Sequence, residues 1–180
     1  TLAQYRGRSV PLPPKLFSHN DQQSVWQANQ PIGEGARLGW GGRMGDLLAS
    51  QNGQTIFTCI SASGNAVFMS GQEVLQYQVG ANGSIAINAL SGNLYSSSTA
   101  GSAYRRVITR SSAHLFESQL GQVVSRSISA NATLAASLPP ASTFTVPIPA
   151  SNGLANQLNV VARIIAGRGG LNVNRQVFFV

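Results

Sequence analysis

Apolar residues first fall into a proline-punctuated, extended entry, VPLPPKLF (10–17), and then take up helical spacing from residue 18. Residues 18–29 read as a short helix, with Ser18 as N-cap and Asp21 three places later as the acid of a capping box. A Gly-rich turn, GWGG (39–42), leads into a second short helix, RMGDLLAS (43–50), which stops at the turn signal Asn52-Gly53. From residue 55 the period changes to that of strands. TIFTCI (55–60), NAVFMS (65–70), VLQYQV (74–79) and SIAINA (84–89) are separated by Gly-containing segments, which predicts a small antiparallel sheet or ribbon.

A Ser/Gly-rich loop, SGNLYSSSTAGS (91–102), separates these strands from a long helical pattern. Residues 102–138 read as one long helix or two consecutive ones, with Val107, Ile108, Leu115, Leu120, Val123, Val124 and Ile128 near a 3.6-residue period. Pro139-Pro140 ends this stretch, and TFTVPIP (143–149) is an extended connector because its prolines cannot donate to a ladder. The next helix spans 154–167, with Leu154, Leu158, Val161, Ala162 and Ile165 on one face and Gly167, Gly169 and Gly170 as its stop. The final run, Gln176–Val180, reads as a strand buried on both faces.

A helix feeding a fully apolar strand is the pattern of a crossover into a central sheet, so the fold class expected is α/β, or α+β for the piece in isolation. The expected organisation is a single domain, or fragment of a larger one, over 1–180. Within it lie a β-rich insertion or cover at 54–101 and helices with a core strand at 102–180. The apolar last strand implies neighbours on further segments of the same protein or on another chain. No internal repeat is present.

Charge removes one class of partner. The formal net charge of +7 arises from having only five acids, Asp21, Glu34, Asp46, Glu73 and Glu117, rather than from many bases. The eleven Arg and single Lys15 are scattered, and only Arg105-Arg106 are adjacent, so there is no clustered basic stripe of the kind that binds nucleic acid. No run of about 18 apolar residues predicts a membrane span. A single cysteine, Cys59 within TIFTCI, excludes an internal disulfide or multi-cysteine zinc site and reads as a small buried hydrophobe. A charged fraction of 9% with abundant Ser, Asn, Gln and Gly is commoner in exported proteins.

The densest chemistry-capable cluster is His19-Asn20-Asp21. Imidazole with carboxylate suits zinc, manganese or iron better than calcium. Consecutive helical residues point about 100° apart, so His19 and Asp21 cannot easily chelate one ion, and a complete site needs three or four ligands. The capped helix start is therefore the favoured reading, with one or two ligands at most. His114 and Glu117 stand three apart on the long helical pattern and form a possible imidazole–carboxylate pair, with a solvated surface pair the blander reading. Ser61 and Ser63 in CISASGNA follow an apolar strand, but the spacing departs from G-x-S-x-G. Gly39, Gly41, Gly42 and Gly45 do not form a phosphate-binding P-loop.

Taken together, LFSHNDQQSVWQ, GWGGRMGDLLA, FTCISASGNAVFMSGQEVLQYQVGANGSIAI and QLNVVARIIAGRGGLNVNRQVFFV resemble an uncharacterised family of exported bacterial proteins. Its members usually carry a twin-arginine signal and are placed in the alkaline-phosphatase and sulfatase superfamily. The resemblance covers nearly the whole chain, as the middle portion of such a protein. It implies a three-layer arrangement of sheet and flanking helices, divalent metal in the complete protein, and a periplasmic or secreted location. Of the family's ligand-like motifs the chain holds only Ser18-His19, and a Gly-Gly-Phe-Asp-Thr-His segment would be expected shortly after Val180. The resemblance makes His19 one metal ligand or substrate contact, Asn20 and Arg43 substrate contacts, Ser18 and Asp21 structural supports, and Trp26 and Trp40 pocket walls. It implies a phosphate or sulfate ester hydrolase-like protein, with these residues insufficient for tight metal binding or catalysis alone. The alternative is a non-enzymatic exported binding or assembly module on the same scaffold.

Overall fold

A computed structural model describes residues 1–13, 15–30, 35–90, 94–97, 99–149 and 151–180. In chain order the regular elements are α1 (Leu2–Arg6), α2 (His19–Ala28), α3 (Trp40–Leu48), β1 (Cys59–Ser61), β2 (Tyr77–Gln78), α4 (Ala100–Ile108), α5 (Leu115–Ser137), α6 (Gly153–Ala166) and β3 (Val177–Phe179). Short 3-10 turns lie between them, among them Thr55–Phe57 and Val67–Met69.

The three strands form one parallel sheet in the order β2-β1-β3, pairing Ile60 with Tyr77 and with Phe178. Alternation along β1 sends its side chains to two separate cores. Ile60 joins Phe57, Val79, Leu134, Val160, Ile164 and Leu171 on the face covered by α5 and α6. Cys59 joins Phe68, Met69, Val74 and Val177 on the other, against Trp40 and Leu48 of α3. The architecture is thus α/β, with helices on both faces of a small parallel sheet.

The antiparallel insertion expected over 54–101 is not formed. TIFTCI divides into a 3-10 turn and β1, NAVFMS becomes the 3-10 turn Val67–Met69, VLQYQV keeps only Tyr77–Gln78 as strand, and no strand forms within SIAINA. The reason is a tertiary contact. Phe68 and Met69 are needed against α3, and this detour turns the link from β1 to β2 into a crossover of the length that parallel pairing requires. The only antiparallel pairings among the described residues are the isolated bridges Gly80–Gly83 and Leu94–Ser97. Part of the expected 91–102 loop lies outside the described residues, and α4 already begins at Ala100.

The Gly-rich turn at 39–42 is also corrected. Gly39 is the N-cap of α3, and Gly41 and Gly42 lie inside the helix. A Cβ on Gly41 would enter the Phe68 ring, one on Gly42 the backbone of Ser70, and one on Gly45 the Cys59 sulfur. Close approach of α3 to β1 and to the 67–71 segment therefore requires glycine at these positions, at some cost in helix propensity.

β3 packs on both faces of the sheet as its apolar run predicts, Phe178 against one core and Val177 and Phe179 against the other, but its burial is incomplete. It lies at the sheet edge, with Val177 buried and Phe178 and Phe179 half-buried. The stretch from 102 to 138 forms two helices, because residues 109–114 break the ladder between α4 and α5.

Two apolar faces read from helical spacing point outward. On α6 the buried residues are Val160 and Ile164, while Leu154, Leu158 and Ile165 are exposed. The exposed set lies roughly a third of a turn from the buried one. Gly167 and Gly170 approach Ser137 so closely that a Cβ on either would collide with it, and Arg163 Nε donates to Pro139 O at 2.9 Å. These contacts fix the rotation of α6. On α5, Ala130 and Leu134 enter the core, and the same stripe runs on through Val123, Leu120 and Phe116 into solvent, Phe116 being 78% exposed. A helix of 23 residues is about 34 Å long, which outreaches a three-strand sheet.

Candidate functional site

The segment that sequence singles out lies at the start of α2. Ser18 is the N-cap: it has extended backbone, its Oγ accepts the Asp21 N–H at 3.4 Å, and its hydroxyl donates to the Asp21 carboxylate. Lys15 Nζ stands 3.8 Å from the other Asp21 oxygen. Asp21 is thus occupied on both oxygens and favours the positive end of the helix. His19, the first helical residue, is exposed, and its ring makes no hydrogen bond or ion pair among the described residues. Asn20 is exposed too, and its carbonyl accepts from Ser24 Oγ at 3.1 Å.

Farther along, α2 docks through aromatic rings. Trp26 lies nearly parallel to Phe68 with centroids 6.2 Å apart, and Trp40 stands edge-on to both, at 5.7 Å from Trp26 and 4.4 Å from Phe68. Phe68 continues the chain of rings to Phe179 of β3 at 5.4 Å. Gln27 Oε1 accepts the Phe68 N–H at 3.1 Å, which fixes the register of α2 on the 67–69 turn. Edge and offset contacts of this kind add to what burial alone contributes. Trp26 remains 63% exposed and, with Val25, Asn29 and Trp40, lines an open cleft of about 450 Å³. Arg43, on α3, is exposed without a hydrogen bond or ion pair among the described residues.

These residues do not by themselves fit a metal ion. The Asp21 oxygens are already engaged, so the α2 start offers one unengaged imidazole. Among the described residues no group of three His, Cys, Asp or Glu side chains comes together. A site with three protein ligands cannot be built on this donor set.

The other chemistry-capable residues are placed as follows. His114 is the N-cap residue of α5 rather than a residue within a helix, and its ring lies 5.9 Å from Phe116. Glu117 accepts from Ser112 Oγ at 2.6 Å and lies 3.7 Å from Arg110, so it does not orient the imidazole. The expected i,i+3 pair fails because the helix begins only at Leu115. Ser61 ends the central strand fully buried, donates to Gly64 O at 2.5 Å and accepts from the Ser63 N–H at 3.3 Å, which closes a turn and leaves no exposed nucleophile. Cys59 is buried too. Desolvation, with the Asp46 charge adding to it, pushes its thiol up to about 11, so it stays protonated and inert at neutral pH.

Two polar residues whose roles spacing does not reveal organise this end of the molecule. Asp46 of α3 accepts the N–H groups of Gln72, Glu73 and Val74 at 2.8, 3.0 and 2.8 Å. Asn52 donates to Thr58 Oγ1 and Arg175 O at 2.9 and 2.8 Å and accepts from the Asn174 and Arg175 N–H groups at 2.8 and 3.0 Å. Asn52-Gly53 had the signature of a turn. What that signature could not disclose is that the amide reaches more than a hundred residues along the chain.

Compared with known proteins, the chain matches no family model, no curated protein and no solved structure.

Proposed function

We propose that this chain is the middle portion of an exported bacterial hydrolase-like protein acting on phosphate or sulfate esters, with His19 as its contribution to the reaction centre. The observation that carries the reading is the exposed, unengaged imidazole of His19 on a helix whose capping contacts are made by its neighbours Ser18 and Asp21. A side chain with no structural duty at a rigid helix start is free for a ligand. The parallel sheet with helices on both faces and the resemblance of the quoted segments support the same reading. Asn20 and Arg43 are the proposed contacts to an anionic ester, since a guanidinium fork matches such oxygens well. On this reading the remaining metal ligands come from outside the described residues, which do not complete a site by themselves.

The assembly-module reading also has an observation in its favour. In the outer stripes of α5 and α6, Phe116, Leu120, Leu154 and Leu158 are each at least half exposed. Apolar stripes of this size mark surfaces that other segments or chains cover.

The deciding experiment uses the longer protein that contains these residues. Metal content and turnover of p-nitrophenyl phosphate and p-nitrophenyl sulfate are measured for it and for His19→Ala. The expected result is a bound divalent metal, hydrolysis of one ester, and a loss of roughly 10–100-fold on substitution, the range for perturbing a metal's surroundings. With metal removed by a chelator, the melting temperatures of the two proteins should agree, because His19 is exposed and its ring makes no contact that holds the fold. Absence of both metal and hydrolysis in the unaltered protein would overturn the enzyme reading in favour of assembly.

A further inference from the structure

On the side of the molecule formed by β2, α4 and α5, a second cleft of about 500 Å³ has Tyr77, Gln78, Ile85, Ile87, Arg105 and Asn131 in its lining. Its composition is asymmetric: among the described residues that line it there is one cation and no acid. The Arg105 guanidinium has no hydrogen bond or ion pair among the described residues, and the Gln78 amide is likewise unengaged. Asn131 Nδ2 is buried without a partner, alone in this among the described side chains. An unsatisfied buried amide costs about 1–3 kcal/mol, a cost recovered when the side chain turns its N–H toward an acceptor oxygen held in the cleft. Tyr77 packs edge-on against Phe57, and burial raises its pKa, so the phenol keeps a proton to donate. Ile85 and Ile87 supply an apolar wall.

We propose that this cleft binds a small monocarboxylic acid with an apolar body. Arg105 takes the carboxylate, since its planar fork pairs with two carboxylate oxygens. Tyr77 adds a donor, Asn131 adds another once its amide turns into the cleft, and the isoleucine wall holds the hydrocarbon. The volume lies within the range of small-molecule sites, which pair an apolar lining with a few polar groups. The site is separate from the start of α2 and does not rest on any reading of His19.

Octanoate, octanol and octylamine test the proposal by titration calorimetry on the full chain, with Arg105→Gln and Arg106→Gln as variants. Arg106 is exposed and does not line the cleft, so its variant makes the same change in net charge away from the site. The expected ranking is octanoate over octanol, with octylamine not bound. Arg105→Gln should weaken octanoate by about tenfold or more, as loss of a charge-assisted bond does, and leave octanol unchanged. Arg106→Gln should leave both unchanged. Equal binding of octanoate and octanol, no binding of either, or equal losses in the two variants would overturn the proposal, the last by showing only attraction to the overall positive charge. If Arg105→Gln fails to fold, the ranking of the three probes on the unaltered chain, together with Arg106→Gln, decides.

Discussion

Asn52 shows how a single side chain can hold distant parts of a chain together. Its amide makes four hydrogen bonds, using both N–H donors and two acceptances at its oxygen, and Gly53 and Gln54 add N–H bonds to Asn172 O. Through these bonds the residues before β1 grip the turn that delivers β3. Truncating Asn52 to Ala would leave Thr58 Oγ1, Arg175 O and the N–H groups of Asn174 and Arg175 without this partner in a largely buried setting. We expect Asn52→Ala to lower stability by about 2–4 kcal/mol, read from urea unfolding, since unmade buried hydrogen bonds cost more than made ones contribute. A loss below half a kcal/mol would show that water replaces the amide. The role was not legible in sequence. An Asn-Gly pair signals a turn through local backbone preference, whereas the partners of this amide are set by tertiary approach.

At the scale of elements, α3 illustrates a helix specified by its neighbours. Its small residues admit Phe68 and β1, and Asp46 on the same helix caps the N–H groups of residues 72–74. Desolvation pulls the Asp46 pKa upward, but the bonds from Val74, Gln72 and Glu73 outweigh it and hold the carboxyl below its ordinary value. The sign of the linkage follows. With the folded pKa depressed, the stabilisation is fully present above the ordinary carboxylate pKa and is lost as pH falls through the lower folded value. Denaturation profiles should therefore show acid destabilisation below about pH 4 that is reduced in Asp46→Asn. Parallel profiles for the two proteins would show that Asp46 does not contribute. Helix α2 was legible because Ser18 and Asp21 are local signals acting over three residues. The strand expected at 65–70 was misread because a period of two cannot distinguish a strand from an apolar 3-10 turn drawn onto a helix, and that at 84–89 because its alternation finds no neighbouring strand, Ile85 and Ile87 staying exposed.

Over the whole molecule, the packed part is smaller than the chain. Described residues of α1 and α4 include no buried side chain, and α5 carries its apolar stripe past the edge of the core. Local stability should follow that distribution. In hydrogen exchange we expect the slowest amides at 59–62, 160–164, 177 and 179 and the fastest regular ones at 2–6, with α4 nearer the fast group. Uniform protection across the helices would contradict the view that two cores around β1 hold the molecule together. The exposed apolar residues of α5 and α6 also explain why helical spacing does not single out the buried ones: α6 has apolar residues on more than one side, and the one stripe of α5 is covered only toward its C-terminal end. Periodicity detects a stripe but not which stripe is covered.

By itself the sequence determined what short-range physics controls: the capped start of α2, the stop at Pro139-Pro140, the helices of the second half, and an α/β alternation. These depend on groups a few residues apart, so the chain carries them wherever it folds. Tertiary structure alone decided the parallel order β2-β1-β3, the rotation of α6 and the four bonds of Asn52. Each of these follows from which distant surfaces meet, and burial and hydrogen-bond satisfaction are properties of that meeting rather than of any one segment.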